Sequence, residues 1–162
     1  MAMTPMQEQL CADNPFDFSG LKAVFINGTL KPSPEMSNTD ALMDVSRAIM
    51  QKNGVAVSSI RAVDHDIAYG VYPDMREHGY ERDAWPELWP TVLAADILVL
   101  GTPIWLGQMS APAKLIIERL YAMSGELNDK GQWIYYGKTG GCVVTGNEDG
   151  IKHAAMTCQY AM

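Results

Sequence analysis

Two groups of residues have the types and spacing to hold a ligand. The first is Thr29, Lys31, Ser37, Asn38 and Thr39, on a loop behind the apolar run Val24-Phe25-Ile26-Asn27. Hydroxyls, an amide and one ammonium, placed where a strand feeds a helix N-terminus, are donors suited to a phosphate. Gly28 would let backbone come close to it. The second group is Pro103, Ile104, Trp105, Leu106, Gly107 and Gln108, behind Ile97-Leu98-Val99-Leu100-Gly101. It offers apolar and aromatic surface to a flat ring, and Gly107 leaves backbone N–H groups within reach of ring heteroatoms. A third loop, beginning Thr145, Gly146, Asn147, has the small, polar character of an edge to the same crevice.

Each signal has a plain alternative. The first loop reads equally well as an ordinary strand-to-helix turn with a capped helix. Trp105 alone reads as packing, and the third loop as a common turn. Together, on neighbouring strands, the first two loops make a crevice for a phosphorylated, planar ligand. The chain has neither the G-x-x-x-x-G-K-[ST] of a P-loop nor the G-x-G-x-x-G of a dinucleotide fingerprint.

The elements that must position these loops follow from periodicity. Lys22–Asn27 reads as a near-continuous apolar strand of a covered parallel sheet. Ala41, Leu42, Val45, Ala48 and Ile49 recur at helical spacing over Asn38–Asn53, with Ser37 or Asn38 as cap and Gly54 as stop. Val55–Ile60 is a second strand. Arg61–Glu81 shows no period and is expected as a long loop at the ligand edge. Asp83–Ala95 is a short helix with Pro86 in its first turn, kinked or split at Pro90. Ile97–Gly101 is the third strand. Ser110 caps the next helix, whose stripe is Leu115, Ile116 and Leu120. Ser124–Tyr136 is a loop, Gly137–Thr145 a fourth strand, and a helix begins at Lys152. Strands alternating with helices imply an α/β fold with right-handed crossovers.

The chain of 162 residues is expected to form one domain over 20–162, with 1–19 as a loose tail or an arm on a partner. Nineteen acidic against twelve basic residues give a net charge of −7, which disfavours nucleic acid and anionic membranes. An anionic ligand would therefore need local donors. No apolar run approaches the roughly 18 residues of a membrane span. Cys11, Cys142 and Cys158 form no CxxC and read as free thiols of a reducing cytoplasm. Asp64-His65-Asp66 nominates no distant third ligand, so no metal is expected. Trp85 and Trp89 read as packing or interface residues. Trp133, Tyr135 and Tyr136 are placed near the ligand edge, as a cover or as a subunit contact.

The segments Gly28-Thr29-Leu30 with Ser37-Asn38-Thr39, Gly101-Thr102-Pro103-Ile104-Trp105-Leu106-Gly107-Gln108-Met109-Ser110-Ala111-Pro112-Ala113-Lys114, and Thr145-Gly146-Asn147-Glu148 resemble the flavodoxin-like NAD(P)H-dependent FMN reductase family, over about residues 21 to 155. The resemblance implies a three-layer α/β sandwich with a parallel sheet of order 2-1-3-4-5, the last strand lacking a counterpart here, so that the domain is C-terminally incomplete. It implies FMN, with its phosphate on Thr29, Lys31, Ser37, Asn38 and Thr39. The ring would lie against Pro103 to Gln108, with Thr145, Gly146 and Asn147 on its other edge. NADPH or NADH would be the donor, and a quinone, a flavin or another small molecule the acceptor. A homodimer or homotetramer is implied, and no catalytic side chain is nominated, since the cofactor carries the chemistry. Two other readings stay open: a flavodoxin-type electron carrier, which the acidic charge would suit, and a flavin-free binding module.

Overall fold

A computed structural model of the chain describes residues 3–162. In chain order the elements are α1 (Pro5–Ala12), β1 (Lys22–Asn27), α2 (Asn38–Lys52), β2 (Ala56–Arg61), α3 (Trp85–Leu93), β3 (Ile97–Trp105), β4 (Gln108–Met109), α4 (Ala111–Ala122), β5 (Thr139–Thr145) and α5 (Ile151–Ala161). Two short 3₁₀ turns, Ala62–Asp64 and Met75–His78, punctuate the segment between β2 and α3.

Period-two alternation on the central strands builds the three layers. Val24, Ile26, Leu98 and Leu100 face α3, α4 and Cys158 of α5. Ala23, Phe25, Ile97 and Val99 face Met43 and Met50 of α2. Strand β1 is therefore apolar on both sides, as a covered parallel strand must be. The parallel strands run β2-β1-β3-β5, matching the expected order through its fourth strand. No further parallel strand follows β5 among the described residues. Beyond the expectation, β4 pairs antiparallel with the end of β3. The register sets Asn27 beside Gly101 and Arg61, and Pro103 beside Thr145. All four carboxyl ends thus open on one edge.

Several expected boundaries shift. The segment expected to be a loose tail contains α1, started by a capping box in which Thr4 and Gln7 satisfy each other's backbone N–H groups. Asn14 Nδ2 to Asn53 Oδ1, 2.9 Å, and Glu8 to Lys52, 2.9 Å, tie this arm to α2. Strand β3 does not stop at Gly101 but runs through Pro103 to Trp105. Helix α3 carries Pro90 unsplit; its pyrrolidine removes one bond, to the Pro86 carbonyl, late in a nine-residue helix.

Candidate functional site

The first loop is held from below by hydroxyls. Ser110 caps α4 through Ala113 N–H (3.2 Å) and also donates to the Gly28 carbonyl at 2.5 Å. Thr102 Oγ1 accepts from Ser110 N–H at 2.9 Å, closing the link from β3 to α4. Gly28 has a packing role as well. A Cβ there would stand 2.8 Å from Ala113 Cβ and 3.0 Å from Ser110 Oγ, so its bareness lets α4 pack against the loop.

The donors expected for a phosphate are arranged as follows. Thr29 is buried, with its N–H on Asn27 Oδ1 (3.0 Å) and its Oγ1 accepting from Lys31 N–H (3.3 Å). Ser37 is buried and caps α2 through Asp40 N–H, 3.2 Å. Asn38 opens that helix and is exposed. Thr39 is buried, and its hydroxyl meets the Thr145 hydroxyl at 2.7 Å, joining the first and third loops. Lys31 Nζ reaches back to the Met36 carbonyl, 3.1 Å, and to Glu35 at 3.5 Å.

The outer side of this loop is pinned to the β2 end. Arg61 donates to the carbonyls of Lys31 (3.2 Å) and Glu35 (2.8 Å) and to Asp40 (2.6 Å). Ser33 gives both its N–H (2.9 Å) and its hydroxyl (2.6 Å) to Asp64. Burial alone would raise the Asp40 carboxyl. The hydrogen bonds and charges of Arg47 and Arg61 outweigh it and hold the group below its ordinary value of 3.8.

The second loop is a hairpin tip. Trp105 pairs with Gln108, and the two residues between them, Leu106 at φ 49° and Gly107 at φ 74°, both lie in the left-handed region. That is the signature of a type I′ turn. Ile104 is buried, Trp105 is 41% exposed and Leu106 is 92% exposed. The third loop runs alongside. Gly146 lies so close to Ile104 that a Cβ there would overlap its Cγ2, and a Cβ on Gly150 would stand 2.6 Å from Gly107 Cα. Glu148 Oε2 accepts from Leu106 N–H at 2.6 Å, and Gln108 meets the His153 ring at 2.9 Å. The structure therefore brings together Pro103 to Gln108 with Thr145, Gly146 and the residues just beyond Asn147.

A wall over residues 62–84 is built around a single carboxylate. Asp83, buried, accepts the N–H groups of Ala68 (3.2 Å), Met75 (2.9 Å) and Trp85 (3.1 Å) and faces the fully buried Arg119 at 2.6 Å. Arg119 also donates to the Pro73 carbonyl, 3.0 Å. Trp85 is wholly buried, as packing required. Tyr135 is not at the ligand edge. Its hydroxyl binds the Leu120 carbonyl (2.6 Å), its ring meets Trp89 edge-on, and β5 enters the sheet just after it, at the amino end of the strands.

Asn27 is the site residue that residue types did not single out. It is buried at the carboxyl tip of β1, and its Nδ2 has no hydrogen-bond partner in the protein. The available signal was an amide closing an otherwise apolar buried strand.

The family described as NADPH-dependent FMN reductase matches residues 21–160. The chain is 37% identical over 142 residues to the 8-demethyl-8-aminoriboflavin-5'-phosphate synthase of Streptomyces davaonensis, covering 85% of this chain and 55% of that protein. A crystal structure of RosB with the bound intermediate 8-demethyl-8-formylriboflavin-5'-phosphate superposes with a TM-score of 0.78 at 37% identity, over 87% of this chain and 58% of that one. A protein of Mycobacterium bovis described as the divalent metal cation transporter MntH is 56% identical over 160 residues, 99% of this chain but 23% of that protein. The azoreductase AzrA shares the fold, with a TM-score of 0.59 at 15% identity over 87% of this chain and 80% of that one. The chain thus spans about a quarter and about half of the two curated relatives.

Proposed function

The chain belongs to the NADPH-dependent FMN reductase family, and from that premise we propose that it holds FMN in the carboxyl-edge crevice and passes reducing equivalents from NADPH or NADH to a small acceptor. Thr29, Lys31, Ser37, Asn38 and Thr39 would hold the phosphate, with the first N–H groups of α2 adding partial positive charge. The ring would lie on Pro103, Ile104, Trp105, Leu106, Gly107 and Gln108, edged by Thr145, Gly146 and Asn147. Bound FMN supplies the two-electron chemistry. The chain's own work is binding, orientation and exclusion of water.

The residues present fit this group. Asn27 keeps a buried Nδ2 free beside the phosphate loop. The hairpin tip presents an exposed indole and an aliphatic side chain in a fixed turn. The carrying observation is the 37% identity, at a TM-score of 0.78, to a protein whose structure binds a riboflavin-5'-phosphate derivative. In this reading the domain acts in the cytoplasm as a homodimer or homotetramer. The identity to MntH covers 23% of that protein, and among the described residues no helix is long and apolar enough to cross a membrane. We therefore assign no transport to this domain.

FMN titration of the purified chain, followed by fluorescence quenching, tests the reading. Saturation at one flavin per chain is expected, with Lys31→Ala weakening it about tenfold, together with FMN-dependent NAD(P)H oxidation. Absence of binding at micromolar FMN would overturn it. A stable flavin without NAD(P)H turnover would move the reading to an electron carrier. A second reading is favoured by the identity to the 8-demethyl-8-aminoriboflavin-5'-phosphate synthase: the flavin phosphate is a substrate. Mass spectrometry of the flavin after turnover separates the two, since a reductase returns FMN unchanged.

A further inference from the structure

We propose that Glu148 is the positioning residue of the Leu106–Gly107 turn; its functional consequence rests on the assignment of that turn to the flavin ring. Leu106 is the one non-glycine at positive φ among the described residues. A bulky side chain in that region is strained. Packing does not hold it there, because the side chain is 92% exposed. In a two-residue hairpin the first turn residue leaves its N–H without a cross-strand partner. Here that N–H is taken by Glu148 Oε2 at 2.6 Å, a charge-assisted bond to the strained residue itself.

The carboxylate acts from a fixed base. Its loop is fastened upstream by the Thr39–Thr145 hydroxyl pair and by the close seat of Gly146 on Ile104. Downstream, Gly150 abuts Gly107 with no room for a side chain between them, and His153 meets Gln108. Glu148 is thus the side chain through which the third loop sets the backbone shape of the second. Without it, Leu106 is free to leave the left-handed region, and the proposed ring platform loses its form.

The test uses the full chain with Glu148→Ala, Glu148→Gln, Leu106→Asn and the double variant Leu106→Asn/Glu148→Ala. Asn tolerates positive φ, and Asn-Gly is the favoured type I′ pair, so Leu106→Asn makes the turn independent of the carboxylate. The first readout needs no flavin. Amide hydrogen exchange at Leu106 should quicken about tenfold in Glu148→Ala and less in Glu148→Gln, whose amide oxygen can still accept. The second is FMN affinity: Glu148→Ala should weaken it about five- to tenfold in the native background and less than about twofold in the Leu106→Asn background. Unchanged exchange in Glu148→Ala would overturn the proposal. So would an equal loss of affinity in both backgrounds, which would place Glu148 on the ligand itself. If the native chain binds no FMN, the functional reading falls, while the exchange result still decides the tie between Glu148 and Leu106.

Discussion

At the scale of single residues, two glycines contrast a tightly packed position with an open one. Gly28 faces backbone and a short side chain on α4, neither of which can yield. Gly28→Ala should lower stability by about 1–3 kcal/mol, read as a fall of several degrees in Tm. Gly125 has open space where a Cβ would go and an ordinary φ. Gly125→Ala should change stability by less than about 0.5 kcal/mol. Asp40 supplies a pH dependence. Its carboxyl is depressed in the fold by Arg47 and Arg61 against the effect of burial. A depressed folded value contributes stability above the unfolded value near 3.8, and that contribution is lost as pH falls through the folded value. Urea unfolding between pH 5 and about pH 2 should show an acid decline below about pH 4 that Asp40→Asn flattens.

At the scale of elements, the wall over residues 62–84 has little regular structure, and its shape comes from the Asp83–Arg119 pair. Asp83→Ala leaves a buried guanidinium without its carboxylate, and the N–H groups of Ala68 and Met75 in the wall and of Trp85 at the start of α3 without their acceptor. Breaking a buried pair on one side costs about 3–5 kcal/mol. Chemical denaturation should register a loss of that size, and limited proteolysis should open first between β2 and α3. This pair was illegible in the sequence because its members lie 36 positions apart and neither sits in a motif. The parallel core was legible, because β1 and β3 are unbroken apolar runs and Ser37 and Ser110 stand at the caps they occupy. The extension of β3 was not, since Pro103 argues against a strand. Nor was the hairpin, because Leu-Gly lacks the Asn-Gly signal of its turn type. Among the expected phosphate donors, Lys31 and Asn38 are exposed, while Thr29, Ser37 and Thr39 already serve the loop's own architecture. Residue types do not show that a hydroxyl proposed to bind a phosphate also builds the loop that carries it.

At the scale of the whole molecule, the arm ahead of β1 is an accessory. No residue of α1 is buried, and its ties to α2 are an exposed ion pair and a few side-chain hydrogen bonds. Removal of residues 1–12 should leave the sheet intact at a cost of about 1–2 kcal/mol, with circular dichroism unchanged apart from the lost helix. The Thr39–Thr145 bridge carries a different consequence. It closes the crevice between residues 106 positions apart, and contacts of such long sequence separation form late, after the loop-closure entropy between them has been met. During synthesis the helix that begins at Asn38 is in place well before its hydroxyl partner has been translated. A nascent chain can therefore have most of its sheet while the third edge of the proposed crevice is still missing. The crevice is a timer on folding, completed only when β5 docks.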